Sequence, residues 1–289
     1  MNHEKMQEKI DQAIQRLKSF EPENDGYYLA FSGGKDSQCI YHLAKMAGVK
    51  FEAHYQVTSV DPPELVQFIR KNYPDVIWDY PRDADGKRIT MWNLIPKMGT
   101  PPLRLSRYCC SILKEPYGAD RVTVTGVRWA ESLKRKNHHG VVDISGKPKR
   151  TKKLADELNA TYSITDIGKI IMNEDNDENR RLVEFCYRTR KTLVNPIVDW
   201  TDEEVWDFLN NVVKVDHCRL YDEGFTRLGC IGCPMACKQR KKQFERYPKY
   251  KQNYLKAFER MLEERKRRGL ETKLNWQSAD DVMRWWINK

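Results

Sequence analysis

Five uncharged residues, Tyr27-Tyr28-Leu29-Ala30-Phe31, run straight into Ser32-Gly33-Gly34-Lys35-Asp36-Ser37, and this junction restricts the fold more than any other part of the chain. An apolar, aromatic-rich run of that length suits a strand buried on both faces, as in a parallel sheet. Gly33 and Gly34 permit a sharp turn and let backbone N–H groups approach an anion with no Cβ in the way. Beyond them Cys39, Ile40, Leu43, Ala44 and Ala47 recur at helical spacing. The loop therefore opens a helix, whose orphan N–H groups and dipole favour a phosphate. Lys35 adds a mobile positive charge, and Asp36 could hold Mg²⁺ or cap the helix. The GxxxxGK[ST] pattern of a Walker A loop is absent.

The rest of the chain continues the same rhythm. Met6, Ile10, Ala13, Ile14 and Leu17 share one face of an N-terminal helix. Strands are expected at 51–57, 76–80 and 121–125, and helices at 63–72 (Leu65, Phe68 and Ile69 inward) and 90–97. Alternation of this kind implies an α/β fold with a doubly wound, mainly parallel sheet. Residues 141–190 mix a basic patch (149–153) with an acidic one (174–178) and read as a mobile insertion or lid. Thr201 and Glu204 form a capping-box pair ahead of a buried stripe of Val205, Trp206 and Leu209. Val282, Met283, Trp286 and Ile287 mark a C-terminal docking helix.

A chain of 289 residues, 40% hydrophobic, supports one main core and a small appended module. Its net charge of +10 favours an anionic partner, nucleotide or nucleic acid or both. No apolar run approaches the ~20 residues of a membrane span, and no signal-peptide core is visible, so a cytoplasmic protein is expected. In that reducing compartment eight cysteines point to metal or redox chemistry rather than disulfides. Cys218, Cys230, Cys233 and Cys237 fall together among glycines and Pro234, while Cys109 and Cys110 are vicinal, a pattern packing seldom requires. Thiolates suit Zn²⁺ and iron–sulfur clusters alike. Cys39 and Cys186 lie among apolar neighbours and suit packing, and His217 suits the surface. The run from Lys238 to Tyr254 mixes lysine and arginine with tyrosine, which fits either nucleic acid or a solvated helix.

The Ser32–Ser37 loop after a strand resembles the signature of the ATP pyrophosphatases, the PP-loop or adenine nucleotide alpha hydrolase-like superfamily. More narrowly, the chain resembles the phosphoadenosine phosphosulfate (PAPS) reductase family. The resemblance is carried by Gly126-Val127-Arg128-Trp129-Ala130-Glu131-Ser132 (GxRxxES), by Asn195-Pro196-Ile197 followed by Asp199-Trp200-Thr201, by Cys109-Cys110 and, loosely, by Asp61-Pro62-Pro63-Glu64. It implies a Rossmann-like nucleotide domain over 21–215, after an N-terminal helix (1–20) and before a Cys-rich helical module (216–289). ATP with Mg²⁺ would then lie on Ser32, Gly33, Gly34, Lys35, Asp36 and Ser37, with Gly126 opening room and Arg128 pairing with phosphate or sulfate oxygens. Lys35, Asp36 and Arg128 would carry the catalysis. A [4Fe–4S] cluster would rest on Cys109, Cys110, Cys230 and Cys233, with Cys218 as a substitute for Cys110 and Zn²⁺ as the alternative metal.

Three functions follow. The first is adenylation of an acceptor, DNA or tRNA among the options, for sulfur transfer, fed by a donor such as a cysteine desulfurase. The second is reduction of adenylylated sulfate to sulfite, against which stands the lack of a cysteine after Cys237. The third is a zinc-stabilised nucleic-acid-binding module. Self-association is compatible with all three.

Overall fold

The computed structural model describes residues 3–146, 148–186, 191–270 and 276–289. It forms two compact units, each assembled from three separate stretches: Met1–Tyr55, Asn72–Ile77 and Tyr117–His217 in the first, Gln56–Lys71, Trp78–Pro116 and Cys218–Lys289 in the second. Residues 3–19 fall in the first unit, and the second combines 56–71 and 78–116 with 218–289. The chain opens with α1 (His3–Ser19), β1 (Tyr27–Ala30), α2 (Lys35–Ala47), β2 (Phe51–Gln56), α3 (Pro63–Asn72), β3 (Ile77–Asp79), α4 (Met91–Met98) and α5 (Tyr108–Leu113). It continues through β4 (Val122–Val124), α6 (Leu133–His138), β5 (Val142–Ser145), α7 (Pro148–Glu157), β6 (Ser163–Ile164), β7 (Ile170–Met172), α8 (Asp177–Cys186) and β8 (Lys191–Val194). Last come α9 (Asp202–Asp207), α10 (Cys237–Arg246), α11 (Pro248–Arg267) and α12 (Ala279–Ile287).

One sheet runs in the order β3-β2-β1-β4-β8-β5-β7-β6. The pairs β1–β2, β1–β4 and β4–β8 are parallel. β1 is buried as its composition demands, with Tyr27 and Leu29 fully excluded from solvent. Because β1 lies between β2 and β4, successive connections leave it in opposite directions. Its C-terminal end is the topological switch point, where ligands of open α/β sheets bind.

The expected lid is instead sheet. β5 pairs antiparallel with β8 through Val142↔Val194 and Ile144↔Thr192, and with β7 through Val142↔Met172. Val142, Ile144, Ile170, Ile171 and Met172 are all buried, and their short strands are masked in the sequence by the charged segments between them. Elsewhere α2, α3, α4 and α9 fall where the periodicity places them, and Thr201 and Glu204 close the expected capping box.

α1 is tied to the sequence after β8 by charge. Arg16 donates to Asp199 at 2.6 Å and to the Pro196 carbonyl at 2.8 Å, and Lys9 donates to Asp199 at 3.1 Å. Burial pushes the Asp199 carboxyl up, but the bonds and charge of Arg16 and Lys9 outweigh it and hold it below the ordinary carboxylate range. A depressed carboxylate stabilises the fold fully above its unfolded pKa of about 3.9, and that contribution is lost as pH falls through the lower folded value. Asp199→Asn should cost about 1–3 kcal/mol at pH 7. It should also flatten the acid limb of the stability profile, as read by denaturant titrations from neutral pH downward.

In the second unit, α11 buries Tyr254, Ala257, Phe258 and Met261 and packs on α4 and α12. Trp286 of α12 is fully buried among Phe244, Tyr254 and Phe258, and its Nε1–H donates to the Pro102 carbonyl at 2.7 Å.

Candidate active site and thiol centre

The loop after β1 turns at Gly33, whose φ of 72° lies in the left-handed region that favours glycine. Gly34 is extended, and α2 begins at Lys35. The Ser37 hydroxyl donates to the Gly34 carbonyl at 2.8 Å, and Ser32 Oγ donates to Ser37 Oγ at 3.2 Å. Carbonyls are thus bound within the loop, while N–H groups of a helix's first turn have no intrahelical partner, the arrangement that receives phosphate oxygens. Gln38, fully buried, adds a brace that the sequence did not reveal. Its Nε2 donates to the Gly33 carbonyl at 3.4 Å, and its Oε1 accepts from the Tyr73 hydroxyl at 2.8 Å.

Four charges meet beside this loop. Arg128 Nε donates to Asp36 Oδ1 at 2.7 Å, its Nη1 donates to the Trp200 carbonyl at 3.2 Å, and its Nη2 donates to Asp202 Oδ1. Lys35 Nζ lies 3.0 Å from Asp202 Oδ1 and 3.4 Å from Asp36. Burial pushes the Asp202 carboxyl up, but hydrogen bonds from Lys35 and Arg128 hold it below the usual range. Arg128 is only 1% exposed. Its Nε, Nη1 and Nη2 bonds tie the Asp36 and Asp202 carboxylates to the Trp200 carbonyl, so beside its expected pairing with phosphate or sulfate it also braces both acids. Asp36 does not cap α2, since the cap position is Gly34.

Asp202, at the first turn of α9, was missed by the sequence reading, which gave this segment a structural role. Its only signal was an acidic residue directly after the capping Thr201. Gly126 has a steric reason to be glycine, because a Cβ there would stand 3.0 Å from the Asp36 backbone. Cys39 is fully buried in α2, with its thiol pushed up by burial and by Asp36, as suits packing. Cys186 lies outside the residues whose side chains are described.

The thiols gather within the second unit. Cys109 and Cys110 sit in the first turn of α5, and Cys230 and Cys233 flank a tight turn. Gly232 in that turn has φ 76°, and a Cβ there would meet Trp286 at 2.9 Å and Phe244 at 3.0 Å. The turn is pinned by Ile231 N–H to the Val60 carbonyl (2.8 Å), Gly232 N–H to Gln243 (2.9 Å) and Tyr254 OH to the Ile231 carbonyl (2.8 Å). The sulfurs of Cys109, Cys110, Cys230 and Cys233 are electrostatic neighbours. A hydrogen bond that the Cys109 thiol donates to the Cys110 sulfur pushes Cys109 up and lowers Cys110, while burial raises Cys230. Lys114, one helical turn beyond Cys110, is surrounded by Cys230, Asp61, Cys110 and Cys233, whose charge raises its ammonium.

Cys218 does not join this group. It is buried apart, and the charges acting on it are those of Glu64, Arg219 and Glu223 rather than other thiols. Among the described residues, no three His, Cys, Asp or Glu side chains converge as ligands of one ion. Asp61 accepts from Thr58 N–H and Oγ1–H at 3.0 and 2.8 Å, closing a turn rather than capping α3. His217 packs edge-on against Trp206.

The basic helices differ from expectation in their aromatic residues. Tyr247 donates to Glu64 (2.8 Å), Tyr250 to the Asp61 carbonyl (3.0 Å) and Tyr254 to Ile231; Tyr247 and Tyr254 are buried and Tyr250 is half-buried. Arg246 pairs with Glu64 and Glu223, and Arg240 is buried. Lys238, Lys241, Lys249 and Lys251 stay exposed.

The Ser32–Ser37 loop and its charges thus stand at the switch point of a mainly parallel α/β sheet. The chain belongs to the family of the phosphoadenosine phosphosulfate reductase domain, whose model matches residues 26–236. Among curated proteins it is similar to two uncharacterised proteins of Methanocaldococcus jannaschii. MJ0973 is 26% identical over 216 residues, 72% of this chain and 41% of the relative; MJ0066 is 26% identical over 222 residues, 71% of this chain and 35% of the relative. The chain therefore spans less than half the length of either. Among solved structures it is similar to the phosphate complex of PAPS reductase from Candida auris, with 12% identity, TM-score 0.45 and coverage of 80% of this chain and 96% of that one. It is also similar to FMN adenylyltransferase from Candida glabrata, with 17% identity, TM-score 0.42 and coverage of 79% and 62%. Among the described residues no helix is long and apolar enough to cross a membrane.

Proposed function

We propose that the chain is an ATP-dependent adenylating enzyme that releases pyrophosphate and activates an acceptor for sulfur transfer. The observation that carries this reading is the complete Ser32–Ser37 loop at the switch point, with Lys35 and Asp36 fixed by Arg128 and Asp202 within one unit. The first-turn N–H groups and Lys35 bind the phosphates of ATP. Asp36 is the residue that would hold Mg²⁺, which when bound offsets the charge of the departing pyrophosphate. An acceptor oxygen attacks the α-phosphorus, the bond to the bridging β-phosphate oxygen breaks, and pyrophosphate leaves. Arg128 keeps the Asp36 carboxylate in place while that charge moves.

Cys109, Cys110, Cys230 and Cys233 have the chemistry of a thiolate-bound metal site, with Lys114 to offset the thiolate charge, although among the described residues no three of them converge as ligands. These four would hold a [4Fe–4S] cluster or Zn²⁺. A cluster, when bound, would supply a site for sulfur or electrons. The family match keeps reduction of adenylylated sulfate as the second reading. DNA and tRNA fit as acceptors through the exposed lysines, and a cysteine desulfurase fits as sulfur donor.

Thermal unfolding of anaerobically purified protein with Mg-ATP, PAPS or adenosine phosphosulfate separates the two. A ligand at a hundredfold its Kd adds about 2.7 kcal/mol to the folded state. Stabilisation by Mg-ATP, with release of AMP and pyrophosphate when the acceptor is supplied, is the expected result. Stabilisation by a phosphosulfate alone overturns adenylation in favour of the reductase.

A further inference from the structure

We propose that His139 is a general base that takes the acceptor's proton as its oxygen attacks ATP, with Asp143 as the positioning residue, a role that rests on the adenylation reading and adds the class of acceptor to it. β8 is parallel to β4 and β4 to β1, whereas β5 runs antiparallel to β8 with Val142 opposite Val194. The residues just before Val142 therefore emerge at the same edge of the sheet as the loop after β1. The backbone of His139 is held there from both sides. Its N–H donates to the Arg135 carbonyl at 3.0 Å, and its carbonyl accepts from the Trp129 indole at 2.7 Å. Trp129 directly follows Arg128, which holds Asp36, so one short segment ties the histidine to the carboxylate of the phosphate loop.

Asp143 supplies the second observation, because its carboxylate is fully buried in β5. Oδ1 accepts from the Gly140 N–H at 2.9 Å and Oδ2 from Asn195 Nδ2 at 3.2 Å, while Lys169 Nζ lies 3.1 Å and His139 Nδ1 2.5 Å from Oδ2. Asn195 is buried too, accepting from the Thr125 hydroxyl and donating to the Gly140 carbonyl at 2.8 Å. A carboxylate has no proton to give, so its bond to the ring puts the imidazole proton on Nδ1. Lys169 Nζ, 3.3 Å from Nδ1, is a donor only and so pairs with the acid. Nε2 then carries the lone pair. It has no hydrogen-bond partner among the described residues, and the side chain is 24% exposed. A buried acid lowers the stability of a fold unless it is paired. Here its pairing fixes one nitrogen of a histidine and leaves the other free at the edge that carries the phosphate loop, the arrangement of a proton acceptor.

In the reaction Nε2 takes the proton, the acceptor oxygen forms its bond to the α-phosphorus, and the bond to the bridging oxygen breaks with its electron pair on pyrophosphate. The imidazolium then passes the proton to water, and nothing is oxidised or reduced. Such a base serves an acceptor that loses a proton as it attacks: a hydroxyl, or the lactam of a nucleobase, whose N–H stands beside the attacking oxygen. A phosphodiester oxygen carries no proton and gains nothing from it. β5 stands three strand spacings from β1, about 14 Å across the sheet, which leaves room between loop and base for the α-phosphate and an acceptor of nucleoside size.

Water is the simplest acceptor that bears a proton, and it serves as the probe. The wild type incubated with Mg-ATP in water enriched in heavy oxygen should release AMP that carries the label and pyrophosphate that does not. His139→Asn keeps a donor where Nδ1 stands but removes the base. It should form AMP about 10²-fold more slowly, while Mg-ATP raises its melting temperature as in the wild type. Imidazole added to His139→Ala should restore part of the rate. For Asp143, nitrogen NMR of isotope-labelled histidine should show Nδ1 protonated and Nε2 free in the wild type, and the opposite tautomer in Asp143→Asn, with circular dichroism to check the fold. Unchanged AMP formation in His139→Asn, Mg-ATP binding without AMP release in the wild type, or a proton on Nε2 of the neutral ring overturns the proposal. Loss of Mg-ATP binding together with the rate in His139→Asn shows a structural role and overturns it as well. Failure of the parent reading looks different: the wild type is then not stabilised by Mg-ATP at all, and both fall together.

Discussion

Arg128→Met should lower AMP formation by at least about 10²-fold and destabilise the first unit by about 2–3 kcal/mol. The methionine fills much of the same space but offers no donor. Asp36 and Asp202 then face each other with only Lys35 between them, and the Trp200 carbonyl loses its partner. Asp36 is free to swing out of the position from which it would hold Mg²⁺, so turnover falls further than nucleotide binding. Arg128→Lys is the informative companion. A single ammonium retains the charge but does not span two carboxylates and a carbonyl at once. It should recover part of the stability and little of the turnover. Denaturant titration, a Kd for Mg-ATP and the rate of AMP release distinguish these effects. Unchanged turnover in Arg128→Met would show that the four-charge cluster has no part in the reaction.

Trp286→Ala should cost the second unit about 3–5 kcal/mol. The side chain is fully buried, with Phe244, Tyr254 and Phe258 around it and the Arg240 guanidinium over its face. Truncation leaves a large cavity and strips the Pro102 carbonyl of its donor. The damage should reach the thiols, because Gly232 rests against the indole and sets the path between Cys230 and Cys233. Bound metal, measured by elemental analysis on the folded fraction, should therefore fall with stability. Trp286→Phe should lie between the wild type and Trp286→Ala on both measures. Full metal retention in Trp286→Ala would show that the turn is held by its backbone bonds alone.

The strand Tyr27–Phe31, its loop and the helix after it were legible because every local preference there agrees: burial, glycine, helical spacing. The Thr201–Glu204 box was legible for the same reason. The β5–β7 extension was not, since strands of two to four residues separated by charged helices carry too little period to detect. The site was half legible. Lys35, Asp36 and Gly126 could be named, but not that Arg128 would brace two carboxylates, nor that Asp202 would complete the cluster, because side-chain pairing across 74 or 92 residues leaves no local trace. The separation of Cys218 from the other thiols and the burial of Tyr247 and Tyr254 were hidden likewise. Spacing reports what lies near in the chain, whereas folding decided what lies near in space.

The second unit is stitched from three stretches of chain, and this has a consequence for how the protein is made. Cys109 and Cys110 leave the ribosome over a hundred residues before Cys230 and Cys233. Throughout that interval the pair is exposed on an unfinished unit, open to oxidation, to stray metal ions and to mispairing. Unit closure waits on contacts of high sequence separation, which form slowly. The vulnerable moment in the life of this protein is its synthesis, and expression with slowed translation or under oxidising conditions should yield chains damaged first at Cys109 and Cys110.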